Sequence, residues 1–507
     1  MNKERKELHR FFNRGTHKIT AILVGLTLLN MSPGVVPLRA QEAKAGTVVA
    51  IAAGEQISIA LNDKGELFTW GYNWNGQLGD GLDGWGYAKP KPGLVLKNVV
   101  AVSSGAGHTL ALTTDNRLFA FGFGWDGQNG TGAAGMRSQL RNPTPIMKDI
   151  LTMSAGAAHS LVVTTGGTLY AFGRNRHGEL GLGTTISQTR PQIVVPEGVV
   201  AVSAGDRHSL AIMEDDSLWA WGDNYAGQLG TGDTEKVFLP KKIMDNIKSA
   251  YAGRINSFAI DNDGTLWGWG KNISTLLFEK ADPEQLLLTP LKIMANVKEI
   301  AIGAAHLLIL QENGVLLAAG ENWLGQLGLP MSATLIPMPL RNQIAKVAAG
   351  GWHSLALDTS GNLFSWGDNT YGQLGNMSFD TIYAPTLVNI GSLPPSVLFN
   401  DSDIGWREVT PILAVDRVVL PLESAFAVLK IDYNIVMGSV LQFTYKGDSY
   451  LHLVGSRVFY KNGKKSAFPM TTFLYRGEIV FQAYDLATLF DYTVRWDTTS
   501  QLLIINE

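Results

Sequence analysis

Residues 199–230 read VVAVSAGDRHSLAIMEDDSLWAWGDNYAGQLG. Two alternating apolar runs, His208 to Ile212 and Ser217 to Trp221, flank an acidic turn, and a glycine marks each end of the hairpin, Gly205 and Gly222. Period-two alternation on both sides of a short polar turn predicts a β-hairpin. The same frame recurs along the chain. First glycines at Gly54, Gly105, Gly156, Gly205, Gly253, Gly303 and Gly350 are each followed after seventeen residues by a second, at Gly71, Gly122, Gly173, Gly222, Gly270, Gly320 and Gly367. An apolar strand precedes each first glycine, from VVAIAAG in the first copy to IAKVAAG in the last, and a Pro-containing stretch such as Phe238 to Met244 ends each copy. Four strands in a unit of about 50 residues, repeated seven times, predict an all-β, seven-bladed propeller whose ring leaves only short edges. Val48 to Ala53 begins mid-pattern and Ala384 to Ile390 ends it, so the two are expected to share one blade and close the ring.

The phrases Trp70-Gly71-Tyr72-Asn73 through Gly76-Gln77-Leu78-Gly79, Trp221-Gly222-Asp223-Asn224 through Gly227-Gln228-Leu229-Gly230, and Trp366-Gly367-Asp368-Asn369 through Gly372-Gln373-Leu374-Gly375 resemble the regulator-of-chromosome-condensation repeat. So do the Gly-x-x-His-Ser segments ahead of them. The resemblance covers about residues 47–390 and implies the same propeller. Three copies depart from it: Thr275-Leu276-Leu277-Phe278 replaces Gly-Gln-Leu-Gly in the fifth, Ala319 replaces the aromatic in the sixth, and the second reads Gln128-Asn129. The fifth blade is therefore expected to have an altered surface loop.

The propeller is placed at residues 46–392, and a linker with a double proline at 393–395 separates it from a second domain at 396–507. Two helical patches, Leu422 to Leu429 and Tyr484 to Phe490, each between apolar strands, make that domain a small α+β module. Its phrases Thr410-Pro411-Ile412 through Val419-Leu420-Pro421-Leu422, Lys461-Asn462-Gly463-Lys464 and Val494-Arg495-Trp496-Asp497 resemble the copper amine oxidase N-terminal-like domain. The resemblance implies an accessory unit of secreted bacterial proteins. Copper chemistry in true amine oxidases belongs to a separate large domain, and His452 is the one His here after residue 390.

Composition narrows the function further. The chain has 507 residues, 45 % of them hydrophobic and 17 % charged, which excludes a disordered chain. It has no Cys, which excludes disulfides, thiolate metal sites and Cys nucleophiles. Lys3, Arg5, Lys6, Arg10, Arg14 and Lys18 precede an apolar run from Ile19 to Leu29 and the small residues Ala43 and Ala45. That order reads as a signal peptide over residues 1–45, cleaved after Ala45 or Ala40, and the apolar run is shorter than the ~20 residues a membrane span needs. Residues 1–45 hold eight basic and three acidic side chains, which leaves a net charge of −8 on residues 46–507. An acidic exported chain is a poor candidate for nucleic acid, and export without Cys suggests a Gram-positive envelope.

The repeats offer several candidates for chemistry. His108, His159, His208, His306 and His353 each lie three residues after a first glycine, with Ile57 and Asn256 in the remaining copies. A shared metal would need imidazole nitrogens ~2 Å from one ion, whereas equivalent sites on adjacent blades lie about a sheet spacing apart, ~10 Å. The expected role is structural, a hydrogen bond to backbone between blades, with no metal and no cofactor. Asp63-Lys64-Gly65 and Asp263-Gly264 are hairpin turns without the remaining residues of a sialidase Asp-box or a calcium loop. No paired carboxylates, nucleophile elbow or phosphate loop stands out, so an enzyme is not expected.

The third residue after each second glycine is Trp74, Trp125, Arg176, Tyr225, Ile273, Trp323 and Thr370. Repeat symmetry puts all seven in loops on one rim, where aromatics and Arg compose a protein-binding hot spot or a sugar-stacking platform. Trp74, Trp125, Arg176, Tyr225 and Trp323 are the candidate binding residues, with Trp85 and Tyr87 extending the face. The expectation is a secreted, non-catalytic scaffold of the bacterial envelope, either released or associated with the cell wall, binding an envelope protein or polysaccharide, with no nucleic acid and no membrane span after signal cleavage. Two alternatives stand beside it. One is a polysaccharide-active enzyme with carboxylates converging from several blades; the other is guanine-nucleotide exchange, which the resemblance implies for nuclear members and the signal peptide opposes.

Overall fold

The structure is a computed structural model, and it describes residues 46–390 apart from 85–86, 136–137, 272–285 and 330–332, together with strand segments between 396 and 506. The signal-peptide reading of residues 1–45, the 393–395 linker, Trp85, Ile273, the Thr275 to Phe278 departure and both C-terminal helical patches fall outside the described residues. The chain divides into two compact units, Met1–Ile390 and Gly391–Glu507.

The first unit contains seven four-stranded antiparallel sheets, each built from consecutive strands. In the first, β1 (Val48–Ala53), β2 (Ile57–Asn62), β3 (Leu67–Tyr72) and β4 (Ala88–Leu96) pair in chain order. Blades two to seven repeat this from Val99, Ile150, Val199, Ile247, Val297 and Ile344. The first strand of every blade packs against the first strands of its neighbours and lies innermost, whereas the fourth lies at the periphery. Proline recurs in each fourth strand, at Pro90, Pro145, Pro191, Pro240, Pro290, Pro339 and Pro385. Proline brings no N–H to an outer ladder, so these edges are poor templates for a foreign strand.

Blades bury their faces against each other. Seven apolar clusters fill the seven joints; between blades four and five, for example, Leu210, Ile212, Leu218 and Leu229 meet Ile247, Ala259 and Trp269. The middle strands are covered on both faces, so β2 is buried throughout. Most first glycines stand where neighbouring blades come close: a Cβ on Gly205 would lie 2.5 Å from the Gly253 carbonyl, and one on Gly350 would lie 2.5 Å from that of Gly54. Each second glycine has φ between +98° and +112°, outside the range comfortable for an L side chain.

Ring closure differs from the sequence expectation. Val48 to Ala53 is the innermost strand of blade one, and Ile382 to Val388 is the outermost strand of blade seven, so the two do not share a sheet. The ring closes by the same means as every other joint. Val48, Ala60, Phe68 and Trp70 pack on Ala348, Leu355, Leu363 and Val388, and Gly351 N–H donates to the Glu55 carbonyl at 2.9 Å. The repeat already holds four complete strands per copy, so no strand is left over to exchange.

In the second unit, the described residues form strands and no helix. Five of them, from Tyr433–Val436 to Lys464–Ala467, make a meander, and Ser396–Phe399 pairs in parallel with Leu502–Asn506. The strands expected on either side of the two patches are present: Arg417–Pro421 with Tyr433–Val436, and Glu478–Gln482 with Thr493–Asp497.

Candidate binding rim

The antiparallel order fixes which loops share a rim. Turns joining first to second strands and loops joining third to fourth open on one side of the ring; the second-to-third turns and the blade-to-blade links open on the other. Gly-x-x-His turns and Gly-Gln-Leu-Gly loops therefore crowd one rim. Within blade four the loop is stapled from inside. Asn224 Oδ1 accepts from Leu229 N–H at 2.9 Å, its Nδ2 donates to the Asp233 carbonyl at 2.9 Å, and Gln228 Oε1 accepts from Ala226 N–H at 2.9 Å. Inward-turned Asn and Gln leave the residue between them at the surface. The described members of the candidate set obey this rule: Arg176 and Thr370 are exposed, and the aromatics range from 40 % exposure for Trp74 to 69 % for Trp323, with Trp125 and Tyr225 between.

Blade two obtains the same loop by a swap. Gly124 replaces the stapling Asn, and Asn129, standing where other copies have Leu, donates to the Gly122 and Ser138 carbonyls at 3.0 and 3.2 Å. A Cβ at Gly124 would meet the Ser138 carbonyl oxygen first and the Asn129 amide at 2.7 Å, so this position holds no side chain.

The five His lie beneath this rim in the joints. His208 Nε2 meets Ser257 Oγ of the next blade at 2.8 Å, and Ser257 donates to the Gln228 carbonyl at 2.7 Å. Because the hydroxyl gives its one proton to the carbonyl, it accepts from Nε2–H, and Nδ1 is left bare in the interior. The pattern recurs at His108 with Ser160, His159 with Ser209, His306 with Ser354 and, across the closing joint, His353 with Ser58. The partner is thus a serine hydroxyl, which corrects the expected backbone bond. Burial holds these rings neutral, lowering their pKa to about 4 for His108 and His353 and about 3 for the other three. Asn256 has no such partner, since the next blade offers Leu307.

The rim is divided. Across blades six, seven and one, aromatics associate: Trp323 stacks on Trp352 with ring centroids 6.4 Å apart, Tyr371 lies 4.5 Å from Tyr72, and Tyr72 lies edge-on to Trp74 at 6.3 Å. Trp352, Tyr371 and Tyr72 escaped the sequence reading. Trp125 and Tyr225 stand on other blades, outside these pairs. Blades three to five present charge instead. Arg174 Nε pairs with Glu179 at 3.1 Å, Arg207 and Lys236 reach Asp223 at 3.9 and 3.7 Å, and Arg254 reaches Asp206 at 3.5 Å. His177 Nδ1 receives a hydrogen bond from Lys236 Nζ at 2.9 Å, and burial keeps the pKa of His177 below its ordinary value. Among the described residues no group of His, Asp and Glu could hold a metal ion.

This geometry accords with the comparisons. A family model described as the RCC1-like domain matches residues 14–281, more than half of the chain. The chain belongs to the RCC1-like domain family. Models of the RCC1 repeat match residues 344–373 and 360–396. Among curated relatives of this RCC1-like chain, the mitochondrial RCC1 domain-containing protein RUG3 of Arabidopsis thaliana is 34 % identical over 26 % of the chain and 31 % of its own length. Human Protein RCC2 is 36 % identical over 24 % of each chain. The E3 ubiquitin-protein ligase HERC2 of Homo sapiens is 33 % identical over 26 % of this chain but 3 % of its own. The matched stretch thus spans about a third or less of these relatives. Among solved structures, human WBSCR16 aligns with a TM-score of 0.58 at 23 % identity over 65 % of this chain and 94 % of its own. Prp20p of Saccharomyces cerevisiae gives the same TM-score and identity over 69 % and 89 %. Both share the propeller fold.

Proposed function

We propose that this RCC1-like propeller is a non-catalytic scaffold that captures a protein partner on the rim of its Gly-x-x-His turns and Gly-Gln-Leu-Gly loops. One observation supports this above others: large aromatics stand exposed in loops that are rigidly stapled from within, and several associate across blade joints. Rigid, solvent-facing Trp and Tyr are the residues that dominate binding energy when a partner covers them, about 1 to 3 kcal/mol each. Loops fixed before binding also lose little entropy on docking.

In this proposal residues 1–45 export the chain to a bacterial envelope, and the partner is an envelope protein. The C-terminal unit, read as a copper amine oxidase N-terminal-like module, is an accessory that attaches or orients the ring.

The test is capture from solubilised envelope fractions by the full chain and by a Trp323→Ala/Trp352→Ala variant, with circular dichroism as a check on folding. The proposal expects a partner whose retention falls at least tenfold in the variant. Equal retention would remove the aromatic arc as the binding face, and capture of a polysaccharide alone would replace protein by glycan as the partner.

A further inference from the structure

Six of the seven joints are drawn together at the same point. A Cβ on Gly54, Gly105, Gly156, Gly205, Gly303 or Gly350 would lie no more than 2.9 Å from the carbonyl oxygen of the next first glycine. Between blades five and six the approach is lost, since a Cβ on Gly253 would meet Asn256 of its own blade and then Ile302 at 3.3 Å, with the Gly303 carbonyl no nearer. The inner strands of these blades, Ile247–Ala252 and Val297–Ile302, come together less closely than any other adjacent pair. The cause lies in the strand. Its fifth residue is Ala52, Ser103, Ser154, Ser203, Ala301 or Ala348 in the other blades, but Tyr251 here. Ser103, Ser154 and Ser203 accept from Ala155, Ala204 and Ala252 N–H of the next blade at 3.0, 3.0 and 2.9 Å, a short reach that keeps neighbouring inner strands close. The Tyr251 hydroxyl reaches the Ile300 backbone across the length of its ring.

The repeat's other ties are replaced at this joint as well. Asn256 stands for the His and Leu307 for the Ser, and Ala319 stands where Trp70, Trp221, Trp269 and Trp366 send an indole N–H to the carbonyl of the preceding loop. Asn256 is 2 % exposed, and its Oδ1 has no hydrogen-bond partner among the described residues. Apolar packing holds the joint instead, with Phe258, Ile260 and Leu266 against Leu307, Ile309 and Leu317. Such packing is non-directional, so it survives a change of spacing that would break a hydrogen bond. From these observations we infer that the ring has one compliant joint, between blades five and six, wedged by Tyr251, at which it parts and closes with only small adjustments at the other six. The inference is independent of the proposed protein capture. Movement at this joint alters the spacing between the rim residues Trp125 and Tyr225 and the aromatic arc that begins at Trp323, so the rim adjusts as a whole while each loop stays rigid.

The chain has no Cys, so an introduced pair carries the only spin labels. Asp263→Cys/Ser360→Cys spans this joint and the next, from exposed hairpin turns of blades five and seven. Asp115→Cys/Asp215→Cys spans two ordinary joints from the equivalent turns of blades two and four. Double electron–electron resonance on the full chain gives each distance distribution. The expected result is a distribution for the first pair about twice as wide as for the second. Tyr251→Ser/Asn256→His/Leu307→Ser, which installs residues used by other blades, should narrow the first distribution to the width of the second. Equal widths in the chain without these three substitutions overturn the inference, whether or not the triple variant folds. An unchanged width in a folded triple variant overturns the assignment of the compliance to Tyr251 and the missing His–Ser tie.

Discussion

Ser257 stands between two partners, accepting from His208 at 2.8 Å and donating to the Gln228 carbonyl at 2.7 Å, all inside the joint. Removing its hydroxyl leaves a buried Nε2–H and a buried carbonyl with fewer partners, at a cost of about 1 to 3 kcal/mol. Ser257→Ala should therefore lower unfolding stability in urea by that amount, and Ser58→Ala at the closing joint should cost the same, since His353 and Gln373 repeat the geometry there. A negligible loss at Ser58 alone would mark the closing joint as different in kind. The repeat explains one of its two exceptions, because Asn256 replaces His where Leu307 replaces Ser; at the other, Ile57 replaces His although the next blade keeps a hydroxyl at Thr109. The motif spells His and Ser side by side, which invites reading them as one unit. Neighbouring residues of a strand point to opposite faces, so His208 serves the joint ahead and Ser209 the joint behind. The inter-blade role of the His was legible from the repeat; the hydroxyl partner was not, because its sequence position belongs to the next copy.

Loops of the repeat are interchangeable only as sets. In blade two, Gly124 and Asn129 stand where other copies have Asn and Leu, and a side chain at 124 would run into the Ser138 carbonyl as well as the Asn129 amide. Gly124→Asn alone should clash with the Ser138 carbonyl and lower the melting temperature by several degrees, Asn129→Leu alone should strip partners from the Gly122 and Ser138 carbonyls, and the double variant should stay well below the parent because the backbone clash at 124 remains. A double-mutant cycle by thermal melting measures the coupling, and full recovery in the double variant would refute the backbone clash. At this scale the hairpins, the Pro-bearing fourth strand and the seven-fold count were readable, because glycine spacing and period-two alternation are local signals. The candidate rim was half readable. Trp74, Trp125, Tyr225 and Trp323 share one frame position, whereas Trp352 comes from a different turn and Tyr371 sits one residue out of frame beside Thr370. Only the antiparallel connectivity brings those turns to one side. The mistaken strand exchange has a plain cause as well: where a repeat begins is arbitrary in sequence, and only pairing decides which strands share a sheet.

Over the whole ring, five buried neutral imidazoles tie stability to pH. Their folded pKa values of about 3 to 4 lie below the ~6.5 of an unfolded His, so between these values the unfolded chain binds more protons. Stability is full above about pH 6.5 and falls as pH drops toward 4. Asp206 and Glu299, whose carboxyls burial pushes up, act in the opposite sense but are outnumbered. Melting temperature should fall clearly from pH 7 to pH 5, and His159→Asn, which copies the residue blade five already uses, should flatten that dependence by about one proton. A melting temperature that stays level over this range would contradict the burial of neutral rings. The closing joint has a further consequence, in time. Because blade seven supplies Ala348, Leu355 and Leu363 to cover Ala60, Phe68 and Trp70, the flank of blade one has no cover while the intervening 247 residues, 97–343, are being synthesised. At ~5 to 20 residues per second that wait lasts roughly 10 to 50 s, long enough for a ribosome-bound chain to need shelter from its neighbours.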